Sequence, residues 1–173
     1  MKQINKYIVE RLRINKDIDS YNYHPKTKDE LKELVNKLIK ERGNEADLND
    51  IDTSEITDMS HMFDGSNFNG DISEWDVSNV EDMRYMFCYS EFNNDISHWN
   101  VSNVIKMRGM FYNSKFNRDI SEWDVSNVET MAYMFAFSKF NVDISNWDVS
   151  NVKDMHMMFS KSPLQKNQPE WYK

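Results

Sequence analysis

Residues 71–94 read DISEWDVSNVEDMRYMFCYSEFNN, and the chain repeats this stretch in register every 24 residues. Trp75, Trp99, Trp123 and Trp147 share one phase of the period. Met83, Met107, Met131 and Met155 share a second, and Phe87, Phe111, Phe135 and Phe159 a third. A fixed period of this length marks a solenoid, in which each unit buries its apolar face only against its neighbours. The phase extends past the obvious copies, with Ile51 at the Trp position, Thr53 and Ile56 at the two Val positions, and Trp171 one period after Trp147. Five repeats therefore start at residues 47, 71, 95, 119 and 143 and fill 47–166, residues 167–173 form a partial capping repeat, and residues 1–46 form an N-terminal helical cap.

Inside one repeat, Ile72, Trp75, Val77 and Val80 give the apolar spacing with which a leucine-rich repeat builds a short strand and bends away from it. Alternation at Trp75-Asp76-Val77 turns the indole and the valine inward and the aspartate outward. Met83, Met86 and Phe87 stand at i, i+3 and i+4, one face of a helical turn, with Ser78 and Asn79 before it as N-cap residues. Phe92 returns to the core through a Ser-x-Phe-Asn turn. The expectation is an α/β repeat solenoid, right-handed, of leucine-rich-repeat-like units: short strand, short helix, loop.

The pattern D-I-S-x-W-D-V-S-N-V-x-x-M-x-x-M-F-x-x-S-x-F-N resembles the BspA-like leucine-rich repeat of bacterial surface proteins and mycoplasma-type lipoproteins. The resemblance spans residues 47–173. It implies protein binding or surface display, and it brings no catalytic residues with it.

Net charge is -8, unevenly spread: residues 1–46 hold 11 basic and 8 acidic side chains, residues 47–173 hold 10 and 21. By repeat the charge runs -6, -5, +3, -3 and 0. An acidic end disfavours nucleic acid and anionic membrane as direct partners and favours a basic protein surface. A solvated, solubilising face is the plainer reading of the same charge. Cys88 is the only cysteine, so no intrachain disulfide forms. The amino terminus, MKQINKYIVERLRINKDID, has no apolar h-region, lipobox cysteine or stop-transfer stretch, which points to a cytoplasmic protein.

Ile4, Ile8 and Leu12, four apart, predict a short helix over residues 4–14, although Tyr7-Ile8-Val9 also suits a strand; residues 15–26 read as loop. Thr27-Lys28-Asp29-Glu30 is a capping box, followed by the stripe Leu31, Leu34, Val35, Leu38, Ile39 and a stop at Gly43. This helix is expected to cover the apolar end of the first repeat, since open solenoid ends need capping; a partner-docking helix is the competing reading.

The Met-x-x-Met-Phe runs recur beside phenylalanine at helical spacing and read as core filler, not soft-metal sites. His24, His61, His98 and His156 lack zinc-ligand spacing. Acidic columns on the strand face are expected to serve turns or solvent, with calcium a weaker alternative. No phosphate-cradling glycine loop or nucleophile elbow is present, so neither cofactor, metal nor enzyme activity is expected. Partner contact is expected at positions that vary between repeats. One set is aromatic, Tyr85, Tyr89, Tyr112, Tyr133 and Phe137; the other lies on the strand face, Glu74, Asp76, His98, Asn100, Glu122 and Asp124. Packing of the aromatics across repeats is the alternative to a binding patch.

The expected function is a non-catalytic protein-binding module, with a monomer favoured. A second reading is an intracellular inhibitor, for instance a phage-encoded one, that fills the basic nucleic-acid channel of a host defence nuclease such as a CRISPR effector. A third is a surface antigen or adhesin fragment.

Overall fold

The computed structural model describes residues 21–172. The helix expected over residues 4–14 lies outside this range, as does Lys173. Among the described residues one α-helix is present, α1 (Lys28–Arg42). The Thr27 hydroxyl accepts the Glu30 N–H at 3.2 Å, while the Glu30 carboxylate accepts the Lys26 N–H at 2.7 Å. At the other end Gly43 adopts φ 91 and its N–H closes on the Ile39 carbonyl at 2.8 Å, which satisfies an otherwise orphan helix carbonyl. Leu31, Val35 and Leu38 are fully buried and join the same apolar cluster as Leu48, Ile51, Ile56, Met59 and Phe63 of the first repeat. Each such side chain stabilises the fold by about 1.5–3 kcal/mol.

From residue 47 onward, equivalent positions 24 residues apart are hydrogen-bonded in parallel. Bridges join Asp58 to Asp82, Asp82 to Lys106, Lys106 to Thr130 and Thr130 to Asp154. The arm after each bridge follows one rule. Alternate N–H groups reach forward to the next repeat, as Met83 to Lys106 O (2.9 Å), Tyr85 to Arg108 O (3.0 Å), Phe87 to Met110 O (2.9 Å) and Tyr89 to Tyr112 O (2.8 Å). Those between them close local turns, as Met86 to Met83 O and Cys88 to Tyr85 O.

The short strand and short helix expected inside each repeat do not form at the expected positions; besides α1 the described residues hold isolated bridges and one 3-10 turn, Pro163–Gln165. Two competitors for the backbone explain it. At the Trp corner, Asp76 Oδ1 accepts the Ser78 N–H at 2.9 Å and Asp71 Oδ1 the Ser73 N–H at 2.9 Å, so side chains take donors that a strand ladder needs. Along the Met arm, Tyr85 and Tyr89 adopt φ 57 and 53, which breaks helical φ/ψ after each single turn. Asn79 does not cap either: its amide donates to the Ser54 carbonyl of the preceding repeat at 2.8 Å.

Apolar phases become columns. Phe63, Phe87, Phe111, Phe135 and Phe159 stack with ring centroids 5.4, 5.6, 5.7 and 6.0 Å apart and planes within 4°. Phe68, Phe92, Phe116 and Phe140 form a second stack alongside, at 6.3, 6.3 and 6.2 Å. Each indole N–H donates to the carbonyl 27 residues earlier, Trp75 to Leu48 at 3.0 Å and Trp99, Trp123, Trp147 and Trp171 to Ile72, Ile96, Ile120 and Ile144 at 3.2 Å. A buried tryptophan thus keeps its one polar atom paired, and every bond ties two repeats together.

Candidate functional site

Backbone conformation decides where the variable aromatics stand. Two columns hold positive φ in every repeat: His61, Tyr85, Gly109, Tyr133 and Met157 in one, Gly65, Tyr89, Asn113, Phe137 and Lys161 in the other. In this left-handed region the side chain leaves the core, and non-glycine residues bear a cost of about 1–2 kcal/mol each. Tyr89 is 55% exposed and Phe137 40%.

Tyr85, Tyr89, Tyr112 and Tyr133, four of the five expected aromatics, line one concavity of about 290 Å³ together with Cys88 and Arg108. Phe137 adjoins it, its ring 5.4 Å from Tyr112, which in turn lies 5.4 Å from Tyr89. The rings therefore pack across repeats and also face solvent. Lys161 sits 4.9 Å over Phe137, and His61 stacks on Tyr85 at 5.0 Å.

Arg108 and Gly109 were not singled out by the sequence, and both shape this groove. Arg108 Nε donates to the Tyr85 hydroxyl at 3.0 Å, its guanidinium lies 5.0 Å over the Tyr133 ring, and Nη1 is 3.4 Å from Asp154. Gly109 leaves room for Tyr85: a Cβ there would meet the Tyr85 ring at 2.4 Å. A glycine in a column otherwise held by histidine, tyrosine and methionine was the available signal. Cys88 is buried, and burial first, then neighbouring Asp64, pushes its thiol up to about 12, so it is a wall of the groove and not a nucleophile.

The other expected set is placed differently. Glu74, Asp76, His98, Asn100, Glu122 and Asp124 are all exposed at the Trp corners, but three are engaged in holding the backbone. Asp76, Asn100 and Asp124 each accept the N–H two residues on, at 2.9, 3.2 and 3.1 Å. Asn100 and Asp124 also accept the hydroxyls of Ser102 and Ser126. The Asp column is thus a turn device that asparagine serves equally. A second groove of about 500 Å³ runs along Asn79, Glu81, Asn103, Ile105, Asn127 and Glu129, none of which sequence reasoning marked for partner contact.

Electrostatics depart from the charge count. Four of the six acidic residues of repeat one are paired with the N-terminal segment: Asp50 with Arg42 (2.9 Å), Asp52 with His24 (3.2 Å), Asp58 with Lys28 (3.2 Å), and Glu55 with Lys26. The Arg42 hydrogen bond holds the Asp50 carboxyl below the usual carboxylate range. In repeat two, Asp82 is almost fully buried; burial acts to raise its pKa, but Arg84 side-chain and backbone donors prevail and lower it. Part of the acidic end therefore serves to seat the cap. Among the described residues no three histidine, cysteine or carboxylate groups gather as a metal site would require, and no helix is long and apolar enough to cross a membrane.

Repeats bonded position by position, with an aromatic groove on their variable face, define a tandem-repeat protein. The chain belongs to the family described as Mycoplasma protein of unknown function, DUF285, whose pattern matches residues 29–136 and again 89–172. Two overlapping matches are what a tandem repeat produces. No curated protein and no solved structure matches the chain significantly.

Proposed function

We propose that this chain is a non-catalytic protein-binding module, a leucine-rich-repeat-like solenoid of the BspA-like kind, which holds its partner on the aromatic groove. The observation that carries the reading is the convergence of Tyr85, Tyr89, Tyr112 and Tyr133 around Arg108, with Tyr89 and Phe137 exposed at its margin. Tyrosine and arginine are the residue types that anchor protein interfaces, because they bury large, stiff surfaces and retain a hydrogen-bonding end. The rings are already packed against one another, so little side-chain entropy is lost on binding.

The test is capture of partners from host extract by the wild-type chain and by a Tyr89→Ser/Phe137→Ser variant, each washed at low salt and at about 1 M salt, where exposed charge pairs are screened. A protein retained by wild type at both salt levels and lost by the variant supports aromatic anchoring. Equal retention by a folded variant refutes it. The nuclease-inhibitor reading rests on the acidic charge of the first two repeats, and a basic nuclease captured at low salt and lost at high salt is the result that favours it.

A further inference from the structure

We propose that the aromatic groove receives a proline-rich segment of the partner in the polyproline II conformation, an inference that rests on the protein-binding reading and narrows it to one ligand chemistry. The backbone of the groove is the first constraint. The N–H groups of Tyr85, Tyr89, Tyr112 and Tyr133 are committed to the carbonyls of Arg108, Tyr112, Gly109 and His156 at 3.0, 2.8, 3.0 and 2.9 Å. Those four donors are closed to an added strand. A polyproline II chain makes no demand on them, because it needs no ladder hydrogen bonds and is recognised through its ring faces and free carbonyls.

The side chains supply what such a segment lacks. The described residues lining the groove include no carboxylate and no side-chain amide, only tyrosine hydroxyls, the Cys88 thiol and Arg108. The Tyr85 hydroxyl accepts from Arg108 Nε at 3.0 Å, which leaves its own proton for an acceptor. Proline offers a carbonyl and no N–H, so a proline-rich chain strands no donor against this lining. A sugar, with many hydroxyl protons to place, matches it less well. A cationic ligand is opposed by Arg108 and by Lys161, which sits 4.9 Å over Phe137.

Ring spacing gives a third match. Tyr89 and Phe137 occupy one left-handed column two repeats apart, which is about 9.6 Å at a ladder spacing of about 4.8 Å. A polyproline II helix, with three residues per turn and about 3.1 Å rise, presents the same face every ~9.3 Å. A segment laid along the stack of repeats therefore sets residues i and i+3 over Tyr89 and Phe137. Between them it crosses Tyr112, whose ring lies 5.4 Å from each. Both outer rings are exposed, so they meet such a segment without rearrangement.

NMR titration of the whole chain with decaproline tests it, beside a Gly-Ser peptide of equal length and a β-linked gluco-oligosaccharide. Decaproline is expected to shift the Tyr89, Tyr112 and Phe137 resonances with a Kd below about 1 mM, and the Gly-Ser peptide to leave them in place. The variant Tyr89→Asn/Phe137→Asn should weaken decaproline at least about tenfold. It keeps the backbone, since Asn113 already holds φ 49 in the same column. Silence of these resonances at about 1 mM decaproline overturns the proposal, as does equal binding of the Gly-Ser peptide or unweakened binding by the variant. Tighter binding of the oligosaccharide assigns the groove to carbohydrate and equally overturns it. If decaproline fails while a captured protein still depends on Tyr89 and Phe137, the proline assignment falls and the protein-binding reading stands; if that dependence is missing too, both fall.

Discussion

Replacing Gly109 by alanine separates backbone strain from packing at the aromatic groove. The residue adopts φ 61, where alanine costs about 1–2 kcal/mol relative to glycine. Its new Cβ would stand 2.4 and 2.5 Å from two Tyr85 ring carbons, so the ring must move. Moving it breaks the 3.0 Å bond between the Tyr85 hydroxyl and Arg108 and the 5.0 Å stack on His61. Those losses are worth about 1–2 kcal/mol together, for a partly exposed hydrogen bond and one ring contact. Gly109→Ala alone should therefore destabilise by about 2–4 kcal/mol, and in a Tyr85→Ala background by only the backbone share, about 1–2 kcal/mol. Urea denaturation of the four proteins of the cycle measures the coupling directly. An equal cost in both backgrounds would refute the claim that this glycine exists to seat Tyr85.

Phe111→Ala should cost about 3–5 kcal/mol, because the ring is fully buried between Phe87 and Phe135 in a continuous stack; thermal or urea unfolding reads it, and a loss under 1 kcal/mol would contradict the stacked column. Asp124→Asn should leave the fold intact at neutral pH, as Asn100 already does the same work one repeat earlier, whereas Asp124→Ala should lower stability by about 0.5–1.5 kcal/mol. Acid should unfold the chain: Asp50, Asp58, Asp71, Asp82 and Asp95 all have folded pKa values below ordinary, so their contribution is complete above about pH 4 and is lost as pH falls through the folded values. Stability that stayed flat down to pH 2 would contradict this. Cys88 should alkylate at pH 8 about a thousandfold more slowly than an unperturbed thiol, and fast modification by iodoacetamide of the folded chain would show that the thiol is not buried as described.

How much was legible differs element by element. Thr27, Glu30 and Gly43 announced α1 because capping is local chemistry, complete within a few residues of chain. The Trp, Met and Phe phases announced which residues are buried, since a period of 24 can only place like residues above like. The conformation inside the repeat was misjudged for a physical reason. Met83, Met86 and Phe87 satisfy the helical spacing, yet the N–H groups that a helix would keep for itself are drawn to the carbonyls of the next repeat, and left-handed residues at 85 and 89 accommodate that. No local propensity encodes a bond to a residue 23 positions away. The same gap hid Arg108 and Gly109 and the pairing of repeat-one carboxylates with the cap.

The sequence alone thus determined the period, the buried phases and the helix at Lys28–Arg42, because each follows from short-range chemistry or from equal spacing. Tertiary structure alone decided which way the N–H groups point, which carboxylates are already paired, and that four tyrosines from three repeats meet around one arginine. Those are relations between residues a full repeat apart, and only the stacking of one repeat on the next brings them within bonding distance.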